Sequence, residues 1–303
     1  MITSTTDQLL LATFAALAMG GIGASLHLGQ LSSTWRDARP FIIGLCSQTI
    51  WMPAVAFALT LVLNLPDAYA LGLMIVGCCP SGVMSNFFSY LGKGDVVLSV
   101  SMTAIGNLLS VLTIPILLFA YSSAAFASTI AGPSLLSVVG TVAGMLVPLA
   151  MGIALRSRSE FWANRVELVG RIAGLLFLAC AVGLYVFRNA AFLLTVDSRA
   201  VIASGALGPA GLLFGYWTAR AMGLSRPQRQ TISYETGIQN VPLAAALVLV
   251  NCPTDMKDEA LVVPVIYGLL VLPITVIVVA SVRWWDGPSR TSEEEFIEPM
   301  ELQ

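Results

Sequence analysis

Nine stretches of the chain are apolar on every face and long enough to cross a bilayer: roughly 8–31, 40–63, 68–91, 95–121, 134–155, 167–188, 198–222, 229–250 and 259–282. A spanning helix needs about 20 predominantly apolar residues. Long runs without strict alternation predict helices, because the strands of a closed membrane barrel are short and alternate apolar with polar positions. The pattern therefore predicts an all-α polytopic membrane protein of about nine transmembrane helices. Two of the nine are interrupted. In 68–91 the break is Pro80-Ser81-Gly82, followed by Ser85-Asn86; in 229–250 it is the run from Glu235 to Pro242, Glu-Thr-Gly-Ile-Gln-Asn-Val-Pro.

The interruptions sit at matching places. Residues 40–121 and 198–283 each form a three-helix block, and each break falls about forty residues after its block begins. The blocks are offset by five helices, an odd number, so the second inserts upside down relative to the first. Paired discontinuous helices in inverted repeats point to a binding site where they cross at the midplane. A broken helix exposes backbone groups, tolerated in a membrane only where they face protein or a water-filled cavity. The freed carbonyls can bind cations, and the half-helix N-termini can attract an anion. The helices near 8–31, 134–155 and 167–188 fall outside the repeat and are expected to support or gate it.

Composition and charge fit this picture. The chain is 57% hydrophobic and 11% charged, with mean hydropathy +0.84, too apolar for the surface of a soluble domain. With the N-terminus outside, the inner side collects twelve of the fifteen Lys and Arg residues, and Arg188, Arg199 and Lys257 alone fall outside. Short cytoplasmic loops gather such residues, so the expected orientation is N-out and C-in in a cell membrane. No basic residue precedes Arg36, so the first segment is not expected to be a cleaved leader. The five cysteines have no disulfide or metal-ligand spacing. His27 and the Trp284-Trp285 pair read as interfacial, Gly92-Lys93-Gly94-Asp95 as a tight turn, and the Glu-rich end as a solvated tail.

Glu235 is the one acid in the interior, rather than at an end, of a membrane-length apolar segment. An ionised side chain there costs on the order of 2.5–3.5 kcal/mol on insertion scales, which makes it a functional-site candidate in need of a partner. The nearest base, Arg229, lies six residues earlier, about 9 Å back along a helix. A metal ion or a proton is the expected companion. The oxygen donors around the breaks are Ser85, Asn86, Ser99, Thr103, Glu235, Gln239 and Asn240. Taken singly, such hydroxyls ordinarily bond a carbonyl one turn back; together with Glu235 and two symmetric breaks they form a set. Hard donors without His or Cys clusters suit Na⁺, with H⁺ left open by the residues themselves, and argue against zinc or copper.

At these residues the chain resembles the bile acid:sodium symporter family. The match runs through Gly77-Cys78-Cys79-Pro80-Ser81-Gly82-Val83-Met84-Ser85-Asn86, through Lys93 to Thr103, and through Glu235-Thr236-Gly237-Ile238-Gln239-Asn240, and it covers essentially 8–283. The resemblance is strongest to the animal-type nine-helix members. It implies a core of two inverted repeats (40–121 and 198–283) moving against a panel made of a first helix in 1–39 and further helices in 122–197, with 284–303 a cytoplasmic acidic tail. It also implies two Na⁺ sites: Ser85, Asn86, Ser99, Thr103 and Glu235 at the first; Gln48, Glu235 and Gln239 with carbonyls of Thr236 and Ile238 at the second. Asn240 and Val83 lie at substrate-side positions. Two departures stand out: the family's usual Pro-Gly-Gly is Pro80-Ser81-Gly82 here, and the position at Val83 is apolar.

The expected function is Na⁺-coupled symport of an amphipathic, bile-acid-like organic anion by alternating access, with Na⁺ as coupling ion. The partners would be that anion and the lipid bilayer, with no nucleic acid. A smaller carboxylate or sulfated anion is the nearest alternative substrate. A receptor for a sterol-like ligand would use the same cavity and is not separated by sequence. An enzyme is not expected, since a hydrolase would need a nucleophile with a base or a metal centre, and a channel would need a continuous polar pore.

Overall fold

The computed structural model describes residues 5–27, 37–125, 134–188 and 195–286. Arg36, Arg290 and the acidic tail beyond Asp286 lie outside them. Among the described residues the regular structure is helical: α1 Thr5–Ser25, α2 Ala38–Val62, α3 Asp67–Cys78, α4 Val83–Leu91, α5 Val96–Ala125, α6 Leu135–Arg158, α7 Glu160–Arg188, α8 Ser198–Ala221, α9 Arg226–Gly237, α10 Val241–Asn251 and α11 Lys257–Asp286. Six of these, α1, α2, α5, α6, α8 and α11, are long and apolar enough to cross a membrane. Large apolar side chains such as Leu112, Ile116, Phe119, Leu136, Met151 and Ile277 are exposed, more than a water-soluble surface carries. The protein is a multi-pass membrane protein.

Apolarity alone misplaced some ends. Helix α7 begins seven residues before the expected 167, because its first turns are amphipathic: Arg165 stacks on Phe161 at 4.4 Å and on Trp162 at 5.7 Å. Such rings and guanidinium groups suit a membrane interface. The first helix stops at Ser25, and the rest of the expected 8–31 lies mostly outside the described residues. His27 does more than border a surface. Its Nε2 faces Arg156 Nη1 at 3.3 Å, and the buried Arg156 also bonds Asn164, Glu167 and the carbonyl of Ala24, tying the ends of α1, α6 and α7 together.

Helices α1, α6 and α7 pack on one another. Glycine makes the close approach possible at one crossing in particular: a Cβ on Gly23 would fall 1.9 Å from the Leu149 carbonyl oxygen. Small residues are how membrane helices approach without a hydrophobic driving force. The remaining helices pack closely on one another. Helix α3 lies against α11 and α9 against α5, while α2 packs on α8. The five cysteines are free thiols.

Both expected interruptions exist, but the second is shorter than the polar run. Helix α3 ends at Cys78 and α4 starts at Val83, leaving 79–82 unwound. Helix α9 continues through Glu235 to Gly237, so only 238–240 is extended. Pro242 lies in the first turn of α10, where a missing N–H costs nothing because that donor has no helical acceptor. The two gaps touch. Ser81 and Gln239 form an isolated antiparallel bridge, and Asn240 N donates to the Pro80 carbonyl at 2.8 Å. A Cβ on Gly82 would sit 3.2 Å from Asn240 Cα, so a glycine is what lets the backbones meet.

Candidate functional site

The crossing is held by side chains from α5 and α11. Asn107 on α5 donates from Nδ2 to the Ser81 carbonyl at 3.1 Å and to Thr103 O at 2.7 Å. Tyr267 on α11 donates from Oη to Gly237 O at 2.7 Å and accepts from Gln239 N at 3.0 Å. Unwinding a buried helix orphans backbone groups, and these two residues take them up. Neither was singled out from sequence. Their signal was the one side-chain amide within 95–121 and the one phenol within 259–282.

Glu235 is fully buried beside the first gap. Oε1 accepts from Ser99 Oγ at 2.5 Å, and Oε2 accepts from Thr103 Oγ1 at 2.9 Å and from Ser81 Oγ. Asn86 Oδ1 lies 2.8 Å from Ser99 Oγ and 3.0 Å from Thr103 Oγ1. Ser85 Oγ donates to Gly82 O at 2.7 Å and lies 3.4 Å from Thr103 Oγ1. Thus Ser85, Asn86, Ser99, Thr103 and Glu235 share one cage, joined by Ser81. Among the described residues no Lys or Arg pairs with Glu235.

Counting protons shows what this cage lacks. A hydroxyl owns one proton, and an amide oxygen or carboxylate owns none. Ser99 and Thr103 each face two acceptors within 3.0 Å, Asn86 Oδ1 and a Glu235 oxygen, and each can satisfy only one of them. The cage is rich in oxygen and short of positive charge.

The other expected ion-site residues are arranged more loosely. Gln239 Nε2 donates to the Thr236 carbonyl at 2.9 Å, and Thr236 Oγ1 donates to Ser47 Oγ at 3.2 Å. Ile238 is buried in the gap and its N–H still reaches Tyr234 O at 3.0 Å. Gln239 Oε1 and both amide atoms of Gln48 are buried without partners. Gln48 is bonded to neither Glu235 nor Gln239; it lines a cleft between α2, α3 and α5 together with Gly106 and Pro80. Among the described residues no group of three or more His, Cys, Asp or Glu could hold a metal ion.

Val83 and Asn240 border a second cleft, between the crossing and α1 and α7. Met84, Leu175, Leu178 and Leu272 make it largely apolar. The Asn240 amide is already engaged: Oδ1 caps α10 by accepting from Leu243 N at 3.1 Å, and Nδ2 reaches Asn107 Oδ1 at 3.1 Å and Met19 Sδ at 3.3 Å. The first residues of α4 and α10, Val83 and Val241, both line this cleft, so two helix N-termini open onto it.

The model of the Sodium Bile acid symporter family matches residues 12–196. The chain is 32% identical over 236 residues to the probable sodium/metabolite cotransporter BASS1, chloroplastic, of Arabidopsis thaliana, covering 76% of this chain and 57% of that protein. It is 25% identical over 281 residues to the hepatic sodium/bile acid cotransporter of Rattus norvegicus, covering 92% and 78% respectively. To the P3 protein of Homo sapiens it is 30% identical over 250 residues, covering 82% of this chain and 52% of the relative. The chain thus spans little more than half the length of two of these relatives and about four fifths of the rat protein.

Proposed function

Because the chain belongs to the Sodium Bile acid symporter family, we propose that it is a secondary active transporter that carries an amphipathic organic anion together with Na⁺ by alternating access. The observation that carries this reading is the cage around Glu235, a buried carboxylate with no basic partner among the described residues, ringed by hydroxyl and amide oxygens. Protonating Glu235 would add one donor. A cation satisfies all the oxygens at once, and hard oxygen donors suit an alkali ion.

On this reading Ser85, Asn86, Ser99, Thr103 and Glu235 hold one Na⁺. Gln48, Glu235, Gln239 and the carbonyls of Thr236 and Ile238 hold a second, and the unpartnered oxygens of Gln48 and Gln239 support that assignment. Two ions would outweigh the single negative charge and leave the crossing positive. An anionic head group would then be drawn to the N-termini of α4 and α10, with its apolar body in the cleft beside Val83 and Asn240. The apolar lining of this cleft favours a substrate with an apolar body over a small carboxylate. Two Na⁺ moving with one monovalent anion carry one net charge inward, so the membrane potential adds about 2.3 kcal/mol per 100 mV.

The architecture follows from the same reading. Residues 40–121 and 198–283 are inverted repeats forming a core, supported by the reciprocal packing of α3 on α11 and α9 on α5. Residues 1–39 and 122–197 supply a panel, giving nine spans with the N-terminus outside, the C-terminus in the cytoplasm and 284–303 as a cytoplasmic tail.

In sealed proteoliposomes, an inward Na⁺ gradient should drive accumulation of a bile-acid-like anion above its external concentration, and an equal K⁺ gradient should not. Equilibration without accumulation would point to a channel, and saturable binding without entry to a receptor. Ser81→Gly gives a finer check. The Ser81 hydroxyl donates to Glu235 Oε2 and so competes with the ion for that oxygen. Its removal should tighten Na⁺ binding about tenfold, the scale of a hydrogen bond to a charged group, measured as the Na⁺ concentration giving half-maximal thermal stabilisation. Weaker binding would mean that Ser81 is itself a ligand.

A further inference from the structure

We propose that the Gly92–Asp95 turn is the inner gate of the sodium path, and that the ion leaves the Glu235 cage along a polar strip formed by Ser99 and Asp95, Ser85 and Ser89, and Thr231. The proposal rests on the sodium reading above and adds a route and a gate to it.

Three rows of polar residues converge below the cage, each at a spacing of four, which places its members on one helix face. On α5 and its N-terminal cap the row is Thr103, Ser99, Asp95; on α4 it is Ser85, Ser89; on α9 it is Glu235, Thr231. Ser85, Ser89, Ser99, Thr103, Thr231 and Glu235 are all fully buried. From Thr103 to Asp95 the strip runs eight residues, about 12 Å at the helical rise. In the opposite direction it is closed, since the Asn107 amide is spent on Ser81 O, Thr103 O and Asn240.

The turn fastens the lower end. Gly94 N donates to Ser89 O at 2.8 Å, and Thr231 Oγ1 donates to the Asp95 carbonyl at 3.1 Å. Lys93 takes a left-handed conformation at φ 56°. Its flanking glycines bring the turn against α9: a Cβ on Gly94 would lie 2.6 Å from Thr231 Oγ1, and one on Gly92 would lie 2.4 Å from Tyr234 Oη. Beside this seal the hydroxyls of Ser89 and Tyr234 are buried with no hydrogen-bond partner. Unmatched hydroxyls are costly in an apolar interior, but they offer lone pairs to a cation and its water once the turn lifts. The Asp95 carboxylate, half-exposed and bonded to Leu98 N through Oδ1, stands at the mouth on the end of the molecule that carries Lys93.

The test uses the full chain in proteoliposomes with the five native cysteines replaced by alanine. Ser89→Cys and Thr231→Cys are introduced singly, with the buried apolar Leu98→Cys as control, and a small cationic methanethiosulfonate is applied from the inner side. Ser89→Cys and Thr231→Cys should react at least tenfold faster in choline than in saturating Na⁺, while Leu98→Cys reacts slowly in both. Thr231→Val, which keeps shape but removes the bond to Asp95, should accelerate labelling of Ser89→Cys. The proposal is overturned if both cysteines react no faster than Leu98→Cys in either medium while Na⁺ still raises the melting temperature of the same variants. Absence of Na⁺ stabilisation in the parent protein would instead remove the ion-site reading, and the gate with it.

Discussion

Glu235→Gln should abolish sodium-dependent uptake while leaving the protein folded. Glutamine keeps the shape of the side chain and replaces the only negative charge in the cage. Removing one member of a buried charge pair costs about 3–5 kcal/mol, and each 1.4 kcal/mol is a factor of ten, so Na⁺ affinity should drop on the order of 100-fold to 1000-fold or more. In sodium-free buffer the sign reverses. The wild-type carboxylate is buried with hydroxyl donors alone, so the neutral variant should melt at the same temperature or higher. Asn86→Ala should also lose coupled uptake, because Oδ1 faces both Ser99 and Thr103. Thermal titration with Na⁺ and uptake in vesicles measure both effects, and unchanged transport in both variants would refute the placement of the ion site.

Tyr267→Phe should be among the most destabilising conservative changes in the chain. The side chain is fully buried, and its hydroxyl is both donor to Gly237 O and acceptor for Gln239 N. Phenylalanine fills the same space but orphans a carbonyl and an N–H where water cannot replace the lost partner. At about 1–3 kcal/mol for each buried unsatisfied group, the loss should reach roughly 2–6 kcal/mol and appear as a lower melting temperature. Sodium affinity should fall too, since the loosened segment carries Ile238 and Gln239. Tyr234→Phe is the control: its hydroxyl has no partner, so its melting temperature should barely move. Equal, near-neutral melting of the two variants would show that the second gap does not depend on Tyr267.

The part of this protein legible in its sequence was governed by solvation. A bilayer sets how long an apolar helix must be, and it penalises an unpaired acid so strongly that Glu235 stood out from one residue's surroundings. Spacing was legible for the same reason: Ser99 and Thr103 had to share a face because both lie on one helix. Residues whose roles depend on a distant partner were not legible. Ser81 looked like a departure from a glycine, yet its hydroxyl reaches a carboxylate 154 positions away. Asn240 looked like a substrate-side residue, and only the fold shows that its amide also caps α10 and binds Asn107. The turn at 92–95 looked like a simple connection, and only the fold shows that it is fastened to Thr231 and Tyr234 on α9.

By itself the sequence determined that the chain is helical, membrane-embedded and organised around two interruptions with an acid beside one of them, because these follow from local composition and the low polarity of lipid. Where the helices come apart was decided by tertiary structure. Prolines at 53, 115, 148, 209, 264 and 273 lie inside continuous helices, so proline does not break a helix unaided. A helix buried in protein can open only where its freed backbone groups find new partners. At 79–82 and 238–240 each gap supplies them to the other, with Asn107 and Tyr267 completing the set, and that pairing exists only once the two halves of the chain have met.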